Sequence, residues 1–194
     1  MPRAYIIHRW DGSPEGDWYQ WLRRELRGLN WQVDVPMMPN PAEPTIETWV
    51  DCLRNIIKKP GPDVFLIGHS IGAQTVLRYV EQLTAGTKLG GIMLVAPWLI
   101  LNNLETPEVE EIARPWLETP INFTKIKHHT TNIEAIFSDD DYFVPVENHK
   151  LFKKLTTKIL VEGDKGHFSE EDEITTLPCV LQQMIHMAKS TIKN

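Results

Sequence analysis

Apolar runs of strand length alternate with stretches of helical spacing along almost the whole chain. AYIIH at 4–8 is short, β-branched and nearly all apolar, which predicts a strand buried on both faces. From Trp18 to Leu29 the apolar residues fall at 18, 21, 22, 26 and 29, a helical spacing that Gly28 and Asn30 end. WQVDV at 31–35 predicts a second strand. Pro36, Pro39, Pro41 and Pro44 then impose a loop, and Thr45 is suited to N-cap a helix over 45–58. DVFLIG at 63–68 is the strongest strand signal, and a helical pattern over 71–84 follows at once. Further strands are predicted at 89–96, 133–137 and 158–162, with helices over 146–155 and 177–192. The stretch 97–131, rich in Pro, Trp and Glu, reads as a mixed region.

This alternation predicts one α/β domain over residues 1–194, with three layers: a mostly parallel six-stranded sheet covered by helices on both faces. Ligands bind such sheets beyond the carboxyl ends of the strands, so the loops that follow strands are where chemistry is expected. Composition supports a packed soluble domain, with 42% hydrophobic and 24% charged residues. A net charge of −6 and a pI near 5.6 argue against a broad basic surface for nucleic acid. No run approaches the roughly 20 apolar residues of a membrane span, and the N-terminal apolar stretch falls short of a secretory signal. A cytoplasmic protein without membrane attachment is therefore expected. Cys52 and Cys179 are distant, lack metal-ligand spacing and are expected to be reduced thiols. Cys52 lies in the helical stretch TWVDCLRNII, which is no setting for a nucleophile.

The loop after the third strand reads Gly68-His69-Ser70-Ile71-Gly72, a G-x-S-x-G elbow between a buried strand and a helix. Glycines at 68 and 72 permit the sharp turn, and Ser70 is lifted to a helix N-terminus that favours developing negative charge. A serine hydroxyl needs a general base, and histidine suits neutral pH. Of the seven histidines, His8 and His69 precede the serine, whereas this chemistry on this fold runs serine, acid, histidine along the chain. His128, His129, His149 and His186 lie in polar or helical stretches and are expected to be solvated or structural. His167 follows the sixth strand in a loop freed by Gly163 and Gly166, and is the expected base. The acid is expected after the fifth strand, where Asp139, Asp140 and Asp141 are equal candidates; like-charge repulsion keeps all three from pointing inward. One oxyanion donor should be the Ile71 amide, and the second should come from the loop 8–12, from Trp10 or alternatively Arg9. The acidic run 169–173 beside His167 reads as a solvated face or helix start rather than a metal site, and no metal or other cofactor is expected.

WYQWL at 18–22, PMMPNP at 36–41, FLIGHSIGA at 65–73, ARPW at 113–116, FSDDDYFVP at 137–145 and GHF at 166–168 together resemble the retinoblastoma-binding-protein-9 and YdeN-like family of small serine hydrolases. The resemblance implies a minimal α/β-hydrolase core with no large lid and strand order 2-1-3-4-5-6. The family pattern Asp-x-x-Val/Leu-Pro falls on Asp141 to Pro145, so the resemblance selects Asp141 as the acid. The chain departs from it at His8-Arg9, where many relatives carry His-Gly or Pro-Gly, and the choice between Trp10 and Arg9 stays open. Retinoblastoma-protein binding does not carry over, because no Leu-x-Cys-x-Glu motif occurs. The expected activity is cleavage of a small ester, thioester or activated amide through an acyl-enzyme on Ser70. Trp98 and Trp116 are candidate pocket walls, and the protein is expected to be a monomer or weak homodimer acting on a small acyl compound. Two alternatives use the same residues: an interaction protein on a hydrolase scaffold, and a peptide or amide hydrolase.

Overall fold

The computed structural model describes residues 1–192. Its elements are β1 (Arg3–Ile7), α1 (Tyr19–Gly28), β2 (Gln32–Asp34), α2 (Ile46–Ile56), β3 (Val64–His69), α3 (Ile71–Val80), β4 (Gly91–Val95), α4 (Pro107–Glu118), α5 (Phe123–His129), β5 (Ile133–Ser138), α6 (Glu147–Phe152), β6 (Lys158–Glu162) and α7 (Pro178–Ile192). The six strands form one sheet in the order β2-β1-β3-β4-β5-β6, and every neighbouring pair is parallel. This is the α/β-hydrolase architecture and strand order expected from the sequence.

Parallel strands covered on both faces must be apolar throughout. Accordingly every residue of β3, β4 and β5 is buried. A right-handed crossover places its helix on a face set by the direction of travel across the sheet. The chain moves one way from β1 to β2 and the other way from β2 onward, so α1 lies on one face and α2 and α3 on the other. The contacts agree: α1 packs against α7, while α2 and α5 pack against α3. Strand order reverses between β1 and β3, and the loops leaving these two strands carry Arg9-Trp10 and Ser70.

Local chemistry sets the element ends. Thr45 caps α2 as expected, its hydroxyl accepting from the Thr48 amide at 3.3 Å. Asn30, at φ 62°, turns the chain out of α1 into β2. The region 97–131, unassigned from the sequence, holds two helices. Its prolines look like breakers, yet Pro107 stands at the first helical position, where its missing N–H is no loss. Thr106 caps that end through the Val109 amide, and α5 is only seven residues long, too short to show a period. The other end of α4 is held by Arg78, a fully buried residue of α3. Its guanidinium donates to the Trp116 and Thr119 carbonyls at 2.8 Å each and lies over the Trp116 ring.

Trp116 is a core residue. It is 1% exposed, packs edge-on against Trp49 and donates from its indole to the Pro44 carbonyl at 3.0 Å. The expectation that it lines the pocket is therefore corrected: one ring cannot fill the space between α2, α3 and α4 and also face the cavity at Ser70.

Candidate active site

Ser70 occupies φ 55°, ψ −117°, a conformation an L-residue enters only under constraint from its surroundings. Two glycines supply the room. A Cβ at 68 would lie 2.5 Å from the Ala73 Cα, and one at 72 would lie 2.3 Å from the Ile7 carbonyl oxygen and 2.7 Å from that of His8. Gly72 thus lets the start of α3 press against the end of β1, bringing the serine beside the loop 8–12.

The three aspartates after β5 have different partners. Asp139 accepts from the Asp164 amide at 3.0 Å. Asp140 accepts from the Ser138 hydroxyl and from the Lys165 and Gly166 amides, at 2.6, 3.1 and 2.8 Å. The Ser138 bond, then the Gly166 amide, hold its carboxyl below the usual carboxylate range. Asp141 alone reaches the imidazole, with Oδ2 2.9 Å and Oδ1 3.1 Å from His167 Nδ1. Asp139 and Asp140 therefore tie the histidine loop to β5, while Asp141, nearly buried, faces the ring.

His167 and Ser70 line one cavity of about 350 Å³. Its walls are Trp10, Trp98, Leu101, Leu104, Val109 and Phe143, with Arg9, Asp11 and Glu105 among its polar members. Of the two tryptophans expected as walls, Trp98 is here, its indole N–H donating to Ser70 Oγ at 3.3 Å. Trp98 is pinned through its carbonyl by Gln74, and the residues after it by Asn148, whose side-chain oxygen accepts from the Leu99 and Ile100 amides. Among the described residues Ser70 Oγ has no direct hydrogen bond with His167. A larger open cleft, lined by Lys88, Lys125, Lys127 and His128, lies at the opposite, amino ends of β4 and β5.

Hydrogen-bond accounting separates the two candidate oxyanion donors. The Arg9 amide is occupied, donating to the Tyr19 hydroxyl at 3.0 Å. The Trp10 amide has no acceptor among the described residues, and the Ile71 amide stands at the first position of α3, where no carbonyl lies a turn behind it. The loop is fixed from outside: Asp11 donates its amide to the Pro41 carbonyl, and the Trp10 indole donates to that of Ala42.

Two buried histidines stiffen the surroundings. His8 donates from Nδ1 to the Arg9 carbonyl at 2.8 Å and accepts from the Met38 amide on Nε2 at 3.1 Å. His69 is bonded through Nδ1 to Tyr19 and through Nε2 to the His167 carbonyl. Burial pushes both below the ordinary value of 6.5, His69 furthest, where the nearby His167 ring adds to the effect. Unfolding restores ordinary values, so below about pH 6.5 the unfolded chain binds protons that the folded chain refuses. Stability is then complete above that pH. It falls on acidification by up to about 1.4 kcal/mol per pH unit for each such group. Urea midpoints measured between pH 7.5 and 5.5 should decline, and His69→Gln should flatten the decline; a flat wild-type profile would rule out neutral burial.

The thiols stand apart from this site: burial raises both, Cys179 to about 11, with Glu162 adding to the rise. The acidic run after His167 serves locally. The Asp172 carboxylate accepts from the His167 amide at 2.8 Å and from the Ser169 hydroxyl at 2.7 Å, and Glu171 pairs with Arg9 at 2.6 Å. Sequence reasoning missed Tyr19, Asp17, Phe143 and Asn148. Of these, only Tyr19 and Phe143 fall within motifs shared with the resembled family.

Known proteins resemble this chain in sequence and in fold. The chain is 30% identical over 179 residues to the hydrolase YdeN of Bacillus subtilis, with 92% of each chain covered. It is 26% identical over 170 residues to the serine hydrolase RBBP9 of Rattus norvegicus, covering 87% of this chain and 86% of that one. The crystal structure of the B. subtilis ydeN gene product superposes with a TM-score of 0.87, covering 96% of this chain and 98% of that one at 27% identity. Est1E of Butyrivibrio proteoclasticus, solved with ferulic acid bound, shares the fold at a TM-score of 0.73 and 14% identity, covering 100% of this chain and 89% of its own. Residues 4–186 match the family described as Serine hydrolase, and the chain belongs to that family.

Proposed function

We propose that the chain cleaves small esters, thioesters or activated amides by an acyl-enzyme mechanism, with Ser70 as nucleophile, His167 as base and Asp141 as the residue that orients the base. The observation that carries this reading is His167, paired with Asp141 at 2.9 Å and lining the same cavity as a serine held at φ 55°. Asp141 accepts a hydrogen bond from the Nδ1–H, which holds the ring in the tautomer whose Nε2 is unprotonated and able to take the proton from Ser70 Oγ. Oγ then attacks the acyl carbon. The oxyanion forms against the Ile71 and Trp10 amides, which are prepositioned and lack internal acceptors. His167 next delivers its proton to the leaving group, and water activated by the same imidazole releases the acid. Catalytic hydrogen bonds often tighten only when substrate is bound, consistent with a serine that here accepts from Trp98.

The cavity supports a substrate class. Its walls are mainly aromatic and branched aliphatic, and about 350 Å³ suits a short acyl group with a compact leaving group. The direct test is covalent labelling by a fluorophosphonate, followed by peptide mapping, alongside turnover of p-nitrophenyl acetate. The expected result is one adduct, on Ser70, with loss of turnover in proportion to labelling. Folded protein that takes no adduct, or that turns over the ester equally after Ser70→Ala, would remove the reading.

A further inference from the structure

We propose that Tyr19 and His69 are positioning residues that set the histidine loop against the oxyanion loop; the proposal rests on the triad reading above. β1 and β6 lie on either side of β3, β4 and β5, so the sheet itself does not bring the loop after β1 to the loop after β6. A buried chain of hydrogen bonds does. The Arg9 amide donates to Tyr19 Oη at 3.0 Å, Tyr19 meets His69 Nδ1 at 2.7 Å, and His69 Nε2 meets the His167 carbonyl at 2.8 Å. One proton assignment satisfies every member. The carbonyl of His167 can only accept, so Nε2 carries the proton; Nδ1 then accepts, and the Tyr19 hydroxyl donates to it while accepting from Arg9. Tyr19 and His69 are fully buried, and both stay neutral because burial raises one and lowers the other.

The two ends of this chain are the residue before the proposed oxyanion donor Trp10 and the proposed base itself. A second, charged link runs outside it. Arg9 Nε donates to Asp17 at 3.0 Å and its Nη2 to Glu171 at 2.6 Å, while Asp17 also accepts from the Glu170 amide at 2.8 Å. The charged link is partly exposed and is screened by salt. The neutral one is not, so it fixes the spacing. A sub-ångström error in that spacing weakens transition-state contacts more than ground-state binding.

The test compares Tyr19→Phe, His69→Phe and His69→Gln with wild type. The glutamine amide offers one N–H to the His167 carbonyl and one oxygen to Tyr19, so it replaces both bonds without a ring. Two measurements are made: kcat and KM for p-nitrophenyl acetate, counted per fluorophosphonate-titrated site, and the downfield proton resonance of His167 Nδ1–H. The two phenylalanine variants should lose tenfold or more in kcat with KM within twofold, and should broaden or lose the resonance. His69→Gln should return both to near wild type. Unchanged kcat per site and an unchanged resonance in the phenylalanine variants, even with a lowered melting temperature, would overturn the proposal and leave these residues as packing. If wild type neither labels nor turns over while the resonance responds as described, the positioning role stands and the hydrolase reading falls.

Discussion

Ser70→Ala is expected to lose about 10⁶-fold in kcat, His167→Ala about as much, and the double variant no more than either alone. In the proposed mechanism nucleophile and base act in one step, so removing either removes the step. Asp141→Asn should lose less, on the order of 10⁴-fold, because the amide orients the ring in the wrong tautomer without deleting the base. Asp139→Asn and Asp140→Asn separate site chemistry from loop anchoring. Their carboxylates hold the Asp164, Lys165 and Gly166 amides and do not touch the imidazole, so kcat should fall by no more than about tenfold. The measurement is p-nitrophenyl acetate turnover against the buffer rate. Additive losses in the double variant, or an Asp140 variant as impaired as that of Asp141, would reassign the triad.

Gly72→Ala is expected to be the most damaging single methyl group in the chain, destabilising by about 3 kcal/mol or more. The added carbon would sit 2.3 Å from the Ile7 carbonyl oxygen and 2.9 Å from its carbon. Those are backbone atoms of a strand paired on both sides, so neither partner can yield by rotating a side chain. Relief requires α3 to move off β1, which separates Ser70 from the loop that carries Trp10. Urea denaturation with circular dichroism should show the loss, and any folded remainder should label slowly with a fluorophosphonate. Gly28→Ala is the control, since nothing lies within 4 Å of a Cβ there.

The sheet was legible because its information is local. Six apolar runs, each followed by a turn or helix signal, define parallel strands whatever the rest of the molecule does. The elbow was legible for the same reason: strand, glycine-bracketed serine and helix adjoin within eleven residues. The expectation for His167 came from chain order together with its place in a glycine-freed loop after the sixth strand. That for Asp141 did not, since three adjacent carboxylates are equivalent until the loop folds; family resemblance singled it out, and the geometry places it on the ring. α4 and α5 were hidden by prolines tolerated at particular positions and by short length. Trp98 and Trp116 could not be told apart, since facing the cavity or facing Trp49 depends on how α4 packs against α3. The choice between Arg9 and Trp10 depends on a tyrosine ten residues away, a partner that no periodicity reveals.

Chain order also separates the proposed nucleophile and the proposed base in time. β2, β1 and β3 are all encoded before residue 70, whereas the loop bearing His167 follows the last strand. At a synthesis rate of about 5–20 residues per second, the base leaves the ribosome roughly 5–20 s after the serine. In that interval the nascent chain carries only an ordinary hydroxyl, unreactive at neutral pH. In the proposed mechanism, hydrolytic power would then arise only when the loop bearing His167 docks, after the whole sheet has been made.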